Sequence, residues 1–116
     1  MIELEGKKVK VGYSIIEIKK QGSQFLKDNM SSTYAQYLSR ESVIEIQPEL
    51  PKLDEANAIL HEIMHACSWV GSLSQNGQPL ADTDNEEVVI NTLTNHLIQV
   101  FMDNEWLLPY LTEKLK

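Results

Sequence analysis

Cysteine is almost missing from this 116-residue chain: Cys67 stands alone, so no intrachain disulfide can staple the fold, and a reducing compartment is the expectation. Long apolar runs are missing as well. None approaches the ~20 residues that a membrane-spanning helix requires, and no apolar stretch with a cleavage site follows Met1. Neither membrane insertion nor export is expected, which leaves the cytoplasm. Positive charge is scarce. Ten Lys and Arg face seventeen Asp and Glu, a formal charge of −7, which works against binding phosphate backbones or anionic lipid. The basic residues Lys7, Lys8, Lys10, Lys19 and Lys20 form a small cluster that reads as a solvated strand face. Nucleic acid and membrane are therefore not expected partners. Glycine and proline number only five and four, and with 42% hydrophobic and 23% charged residues the composition excludes collagen-like, repeat and disordered chains. What remains is one globular domain over residues 1–116 with one core.

The pattern along the chain is mixed. Val9, Val11, Tyr13 and Ile15 alternate with polar or small residues, the period of a half-buried strand, and the alternation slips at Ile16, where a bulge is expected. Between Gly22 and Met30 the reading is open, with Phe25 and Leu26 able to anchor one helical turn. Thr33 to Leu38 and Ser42 to Ile46 read as two strands joined at Ser39-Arg40-Glu41. After Pro51 the spacing changes: Leu53, Ala56, Ile59, Leu60, Ile63, Met64, Cys67 and Val70 recur at threes and fours, a helix that Gly71 stops. Residues 72–81 read as a loop. Thr83 with Glu86 forms a capping box, Asp84 with Glu87 repeats it one residue on, and a second helix runs through Ile90, Leu93, Leu97 and Phe101. A last short helix interrupted at Pro109 carries Trp106, Leu107, Leu108, Tyr110 and Leu111, which with Trp69 are expected mostly to fill the core. The expected fold is α+β, a small antiparallel sheet of about three strands on a helical core.

The first long helix contains His61-Glu62-Ile63-Met64-His65. Helical residues four apart lie about 40° apart around the axis, so both imidazoles can reach one ion. Zinc suits two neutral imidazoles and leaves room for a water. Glu62 need not be a ligand; its carboxylate can take a proton from that water and return it to a leaving amine. The competing reading is a pair of solvated histidines, which would not demand a glutamate between them. A third ligand must come from another element. Cys67 lies about 200° further round the helix than His65 and reads as a small buried hydrophobe. His96, a lone helical histidine, reads as a surface residue more readily than as a ligand. Glu86 and Glu87 are the better candidates. The apolar stripe points Glu86 at the first helix, but Glu86 has a capping job; Glu87 sits at the stripe's edge with Asn91 one turn on, where an amide could hold a metal-binding histidine. Glu87 is preferred and Glu86 is the reserve.

On Leu60-His61-Glu62-Ile63-Met64-His65-Ala66 and Glu87-Val88-Val89-Ile90-Asn91 the chain resembles the zinc metallopeptidases of the gluzincin type, and more narrowly small phage and prophage metallopeptidases distantly similar to the IrrE/ImmA family. The resemblance covers roughly residues 33–105, and the E-x-x-x-N/D pattern of such families favours Glu87 over Glu86. It implies a zinc peptidase acting on a protein or peptide, with His61, His65 and Glu87 holding Zn2+ and Glu62 activating the water. It also implies that an edge strand around Val43 to Ile46 pairs with an extended substrate. The larger gluzincins supply a His or Tyr to the oxyanion; the candidates in this chain are Tyr34, Tyr37 and Tyr110, each of which also reads as packing. The rival reading is a non-catalytic phage or prophage interaction protein that keeps the scaffold and its ion. So short a chain leaves the expectation of a shallow groove.

Overall fold

The alternating residues from Val9 to Ile15 belong to two strands. In the computed structural model, which describes residues 2–20 and 34–116, β1 (Lys8–Val11) and β2 (Ser14–Lys20) form an antiparallel hairpin with Val11 opposite Ser14 and Val9 opposite Ile16. Gly12 and Tyr13 make the turn. Gly12 sits at φ 56°, the left-handed conformation that a two-residue hairpin loop needs. This reversal resets the alternation, so Ile16 and Ile18 are buried while Ile15 is exposed. The slip at Ile16 is thus the consequence of a turn and not of a bulge. The possible helical turn at Phe25 and Leu26 lies outside the described residues.

β3 (Ala35–Leu38) and β4 (Val43–Ile46) pair antiparallel, as the hairpin reading requires, and β4 also pairs parallel with β2. Among the described residues the sheet has four strands in the order β1-β2-β4-β3. The fold is α+β as expected, with one strand more than expected and a mixed sheet in place of an antiparallel one. β4 is a central strand. Its Val43, Ile44 and Ile46 are buried, and such a nearly continuous apolar run suits a strand with neighbours on both sides. The edges are β1 and β3, which corrects the expectation that residues 43–46 form an edge.

Helix α1 (Lys52–Val70) begins after Pro51 and ends at Gly71. A Cβ on Gly71 would lie 2.9 Å from the Cys67 carbonyl oxygen, which is why the stop residue is glycine. Ala58, Glu62 and Ala66, spaced by fours, are the buried line of α1, flanked by Ile59 and Ile63 against Ile16, Ile18, Ile44 and Ile46. Small residues let the helix approach the sheet closely, and one carboxylate rides in with them. A Lys20–Glu55 ion pair at 3.3 Å ties β2 to the first turn of α1.

Helix α2 (Thr83–Asp103) starts one residue earlier than the Thr83 capping box predicts: Asp82 is the N-cap, its side chain accepting from the amides of Asp84 and Asn85. α2 buries only Ile90 and Thr94. Leu93, expected in the stripe, is about half exposed, because the helix packs mainly on α1 and one neighbour covers only a narrow line. Helix α3 (Leu107–Lys114) runs through Pro109 without interruption; in the first turn of a helix the missing N–H has no intrahelical partner to lose. Trp69, Trp106, Leu108 and Tyr110 are largely exposed and do not fill the core. Among the described residues no helix is long and apolar enough to cross a membrane.

The hairpin turn also touches the end of α1, where a Cβ on Gly12 would fall 2.6 Å from Val70 Cγ1. Gly12→Ala should therefore cost about 1–3 kcal/mol in urea unfolding, part from the positive φ and part from the clash. Adding Val70→Ala should recover the second part alone. An unchanged midpoint in Gly12→Ala would contradict this turn.

Candidate metal centre

His61 and His65 stand one turn apart on α1, and the first turn of α2 brings Glu86 and Glu87 against them. The two Nε2 atoms are 3.1 Å apart. Glu87 spans both, with Oε1 3.0 Å from His61 Nε2 and Oε2 3.0 Å from His65 Nε2. The donor atoms of His61, His65 and Glu87 all lie within 4.8 Å of one another. Tetrahedral zinc with bonds of about 2.0–2.1 Å spaces its ligand atoms by roughly 3.3 Å, so two imidazole nitrogens and a carboxylate oxygen at these separations suit such an ion. Half of the Glu87 side chain is open to solvent, whereas both imidazoles are mostly covered.

Glu86 has a different task from the one its capping position suggests. Because Asp82 caps α2, the Glu86 carboxylate is free to reach across: His65 Nδ1–H donates to Oε1 at 2.6 Å, and Ser68 Oγ donates to Oε2 at 2.9 Å. This bond puts the proton of His65 on Nδ1 and turns the Nε2 lone pair toward the space shared with His61 and Glu87. Asn91 lines the same cleft, but the group that orients a histidine is Glu86. At His61, burial holds the pKa below the usual imidazole range, against the opposing pull of Glu87, and so favours the neutral, electron-donating form.

Glu62 is buried, its Oε2 3.9 Å from His61 Nε2, beside the donor set and outside it. Burial pushes its carboxyl up to about 7, while the backbone amide of Tyr37 donates to the ionised form and pulls the other way. A carboxyl poised there can both accept and return a proton near neutral pH.

The cleft around these groups has a volume of about 720 Å³, within the ordinary range of ligand pockets. Its floor is α1 and the first turn of α2; one wall is β3 with Tyr34. Comparison with protein-family models, with curated proteins and with solved structures finds no match for this chain.

The remaining candidates fall as follows. Tyr34 and Tyr37 line the cleft, although Tyr37 also packs on the core; Tyr110 lies on α3, edge-on to Trp106. His96 is exposed and donates Nδ1–H to the Thr92 carbonyl, away from the centre. Cys67 is exposed and not buried. Two participants escaped the sequence, Ser68 and the orienting role of Glu86. The signal for Glu86 was present in Asp82, a stronger N-cap residue than Thr83, which releases Glu86 from capping.

Two measurements check this arrangement. Glu86→Ala should weaken zinc binding about 10- to 100-fold while Glu86→Gln, which still accepts a hydrogen bond, weakens it less; equal losses would deny the orienting role. In chelator-treated protein, Glu62→Gln should raise the melting temperature at pH 8. The sign follows from the direction of the shift. A folded-state carboxyl pKa raised from 4.5 to about 7 destabilises the fold as pH rises through that window, to at most on the order of 3 kcal/mol. The difference between the two proteins should vanish below about pH 4.5 and be complete above about pH 7.

Proposed function

We propose that this protein is a zinc-dependent peptidase. The observation that carries the reading is that three donor groups, His61, His65 and Glu87, converge beside a buried fourth group, Glu62, that is no part of the donor set, in a cleft lined by β3, an edge strand among the described residues. Three protein donors leave a coordination position free, the pattern of catalytic and not of structural zinc. A zinc ion held there would supply Lewis acidity, polarising a carbonyl and making water acidic enough to attack it. The protein's own part is positional. Glu62 takes the proton of the attacking water and passes it to the leaving amine, and the amide of Tyr37 holds its carboxylate for both steps.

The strand that presents substrate is β3. The Tyr34 carbonyl accepts from the Gln47 amide, so in an antiparallel ladder the amide and carbonyl of Ala35 face away from β4, toward the cleft side. An extended peptide can pair with them, which fixes the height of its scissile bond above the histidines. The motif residues that support this chemistry are the same ones that resemble small phage metallopeptidases, and the lone cysteine agrees with a cytoplasmic setting.

Purified protein should carry about one zinc per chain, and His61→Ala or His65→Ala should lose it. Glu87→Gln should bind zinc more weakly than Glu86→Gln. Glu62→Gln should keep zinc and cleave an unfolded protein about 10²- to 10⁴-fold more slowly. Full zinc with no cleavage by the wild type would favour the rival, a non-catalytic interaction protein that keeps its ion.

A further inference from the structure

Helix α3 is a helix without a core. Trp106 to Leu111, entering and filling its first turns, is a run of six apolar residues, and a helix that is apolar all round ordinarily stands inside a protein. Yet no residue of α3 is buried; Trp106 is 64% exposed, and Leu108 and Tyr110 are 49% exposed each. Eight residues are also too few to hold a helix in water unaided, since isolated helices need roughly 12–15. The Trp106 ring stands edge-on to Tyr110 with centroids 6.0 Å apart, so the exposed side carries a packed aromatic pair.

Helix α2 has the opposite shortage, a stripe without a cover. Val89, Leu93 and Val100 lie within about 40° of one another around the helix, about 100° round from the line of Ile90 and Thr94 that faces α1. Each is more than a third exposed. From Val88 to Met102 the helix holds no Asp, Glu, Lys or Arg, although the chain carries a formal charge of −7. Solvated helix faces are ordinarily charged, and depletion of charge marks the middle of an interface. The stripe is about 17 Å long and α3 about 12 Å, so one can lie along the other.

We propose that the partner of both surfaces is a second copy of this chain, with α3 of each copy laid along the α2 stripe of the other. One two-fold axis then covers all four surfaces, because every copy brings both halves of the contact. The uncovered parts of Val89, Leu93, Val100, Trp106, Leu108 and Tyr110 come to roughly 600 Å² per copy, most of the ~800 Å² that each partner gives to a standard interface. The charges agree. Two copies of formal charge −7 repel on most approaches, and least across a face with no acidic residue. A basic partner would call for carboxylates on the stripe, and anionic lipid for lysines. The pairing uses none of the metal donors and stands apart from the peptidase reading.

At about 50 μM, well above a micromolar dissociation constant, light scattering behind a sizing column should give twice the chain mass of 13.2 kDa. Leu93→Glu and Trp106→Ala should each raise the dissociation constant about 100-fold or more, because each change acts twice in a symmetric contact. Both side chains stand largely in water, so the far-ultraviolet spectrum should stay as it is. Tyr110→Ser should behave like Trp106→Ala. Mixing the variants decides the arrangement. A heterodimer keeps one whole contact, the intact α3 of the Leu93→Glu copy on the intact α2 of the Trp106→Ala copy, so the mixture should dimerise about 10-fold more tightly, or better, than either variant alone. A monomeric wild type overturns the proposal, whether α3 then proves to bind vesicles or another protein. A dimer that no substitution weakens, or a mixture no tighter than its parts, overturns it as well.

Discussion

The joint between α1 and α2 is made by polar groups, and the position of everything on α2 depends on it. Only Ile90 and Thr94 of α2 are buried, too little apolar surface to fix a helix of this length by packing alone. The rest of the joint is the Glu86 carboxylate held between His65 and Ser68, the Glu87 carboxylate across both imidazoles, and an Asn57–Asn95 side-chain bond at 3.0 Å. These contacts hold Glu86 and Glu87 against the imidazoles, with the Glu87 charge near enough to Glu62 to add to the rise of its carboxyl pKa, after burial. An ion bound by residues of both helices would add to these contacts and stabilise the joint, so that binding it and docking α2 would be coupled.

Glu62 shows the same logic from the side of the sheet. Its neighbours along the helix, Ala58 and Ala66, are small, so α1 lies close on the β-sheet and carries Glu62 below the surface. A helix packed for stability alone would place an apolar residue there. The carboxyl is tolerated because β3 is an edge among the described residues: the Tyr37 amide faces away from β4 and is directed at Glu62. The strand edge thus provides one hydrogen bond to the Glu62 carboxyl and turns the Ala35 backbone groups away from β4. An expected edge at β4 could have done neither, since both of its sides are occupied.

How much of this could be read in advance follows the range of the signals. The α+β class, the helix from Lys52, its stop at Gly71 and the pairing of β3 with β4 rest on local periodicity and local breakers, and all were legible. So was the meeting of His61 and His65, since their separation is fixed within one helix. The Gly12 turn was missed because a two-residue reversal preserves the look of an alternating strand. The parallel pairing of β2 with β4 was not legible, because it joins segments separated by more than twenty residues and depends on tertiary geometry. The exposed tryptophans ran against a composition rule that holds only on average, because burial is decided by which elements pack on a residue and not by its type. Glu86 was misassigned through a local motif that matched while a better cap one residue earlier took the role.

Dual use of residues concentrates the candidate centre at one helix end. The last two turns of α1 contribute His65 to the donor set, Ser68 to the carboxylate that orients it, the Ser68 carbonyl to the anchoring of the loop, and Trp69 to the wall. Four functions fall within five residues because a helix puts positions one turn apart on the same side and its C-terminal carbonyls are free to accept bonds from the chain that follows. The two bonds of Ser68 are separable: replacing its side chain removes the hydroxyl bond to Glu86 and so loosens the orientation of His65, while its backbone carbonyl still anchors the loop. The geometry of one helix end thus sets the donor histidine, its orienting partner and the loop anchor side by side.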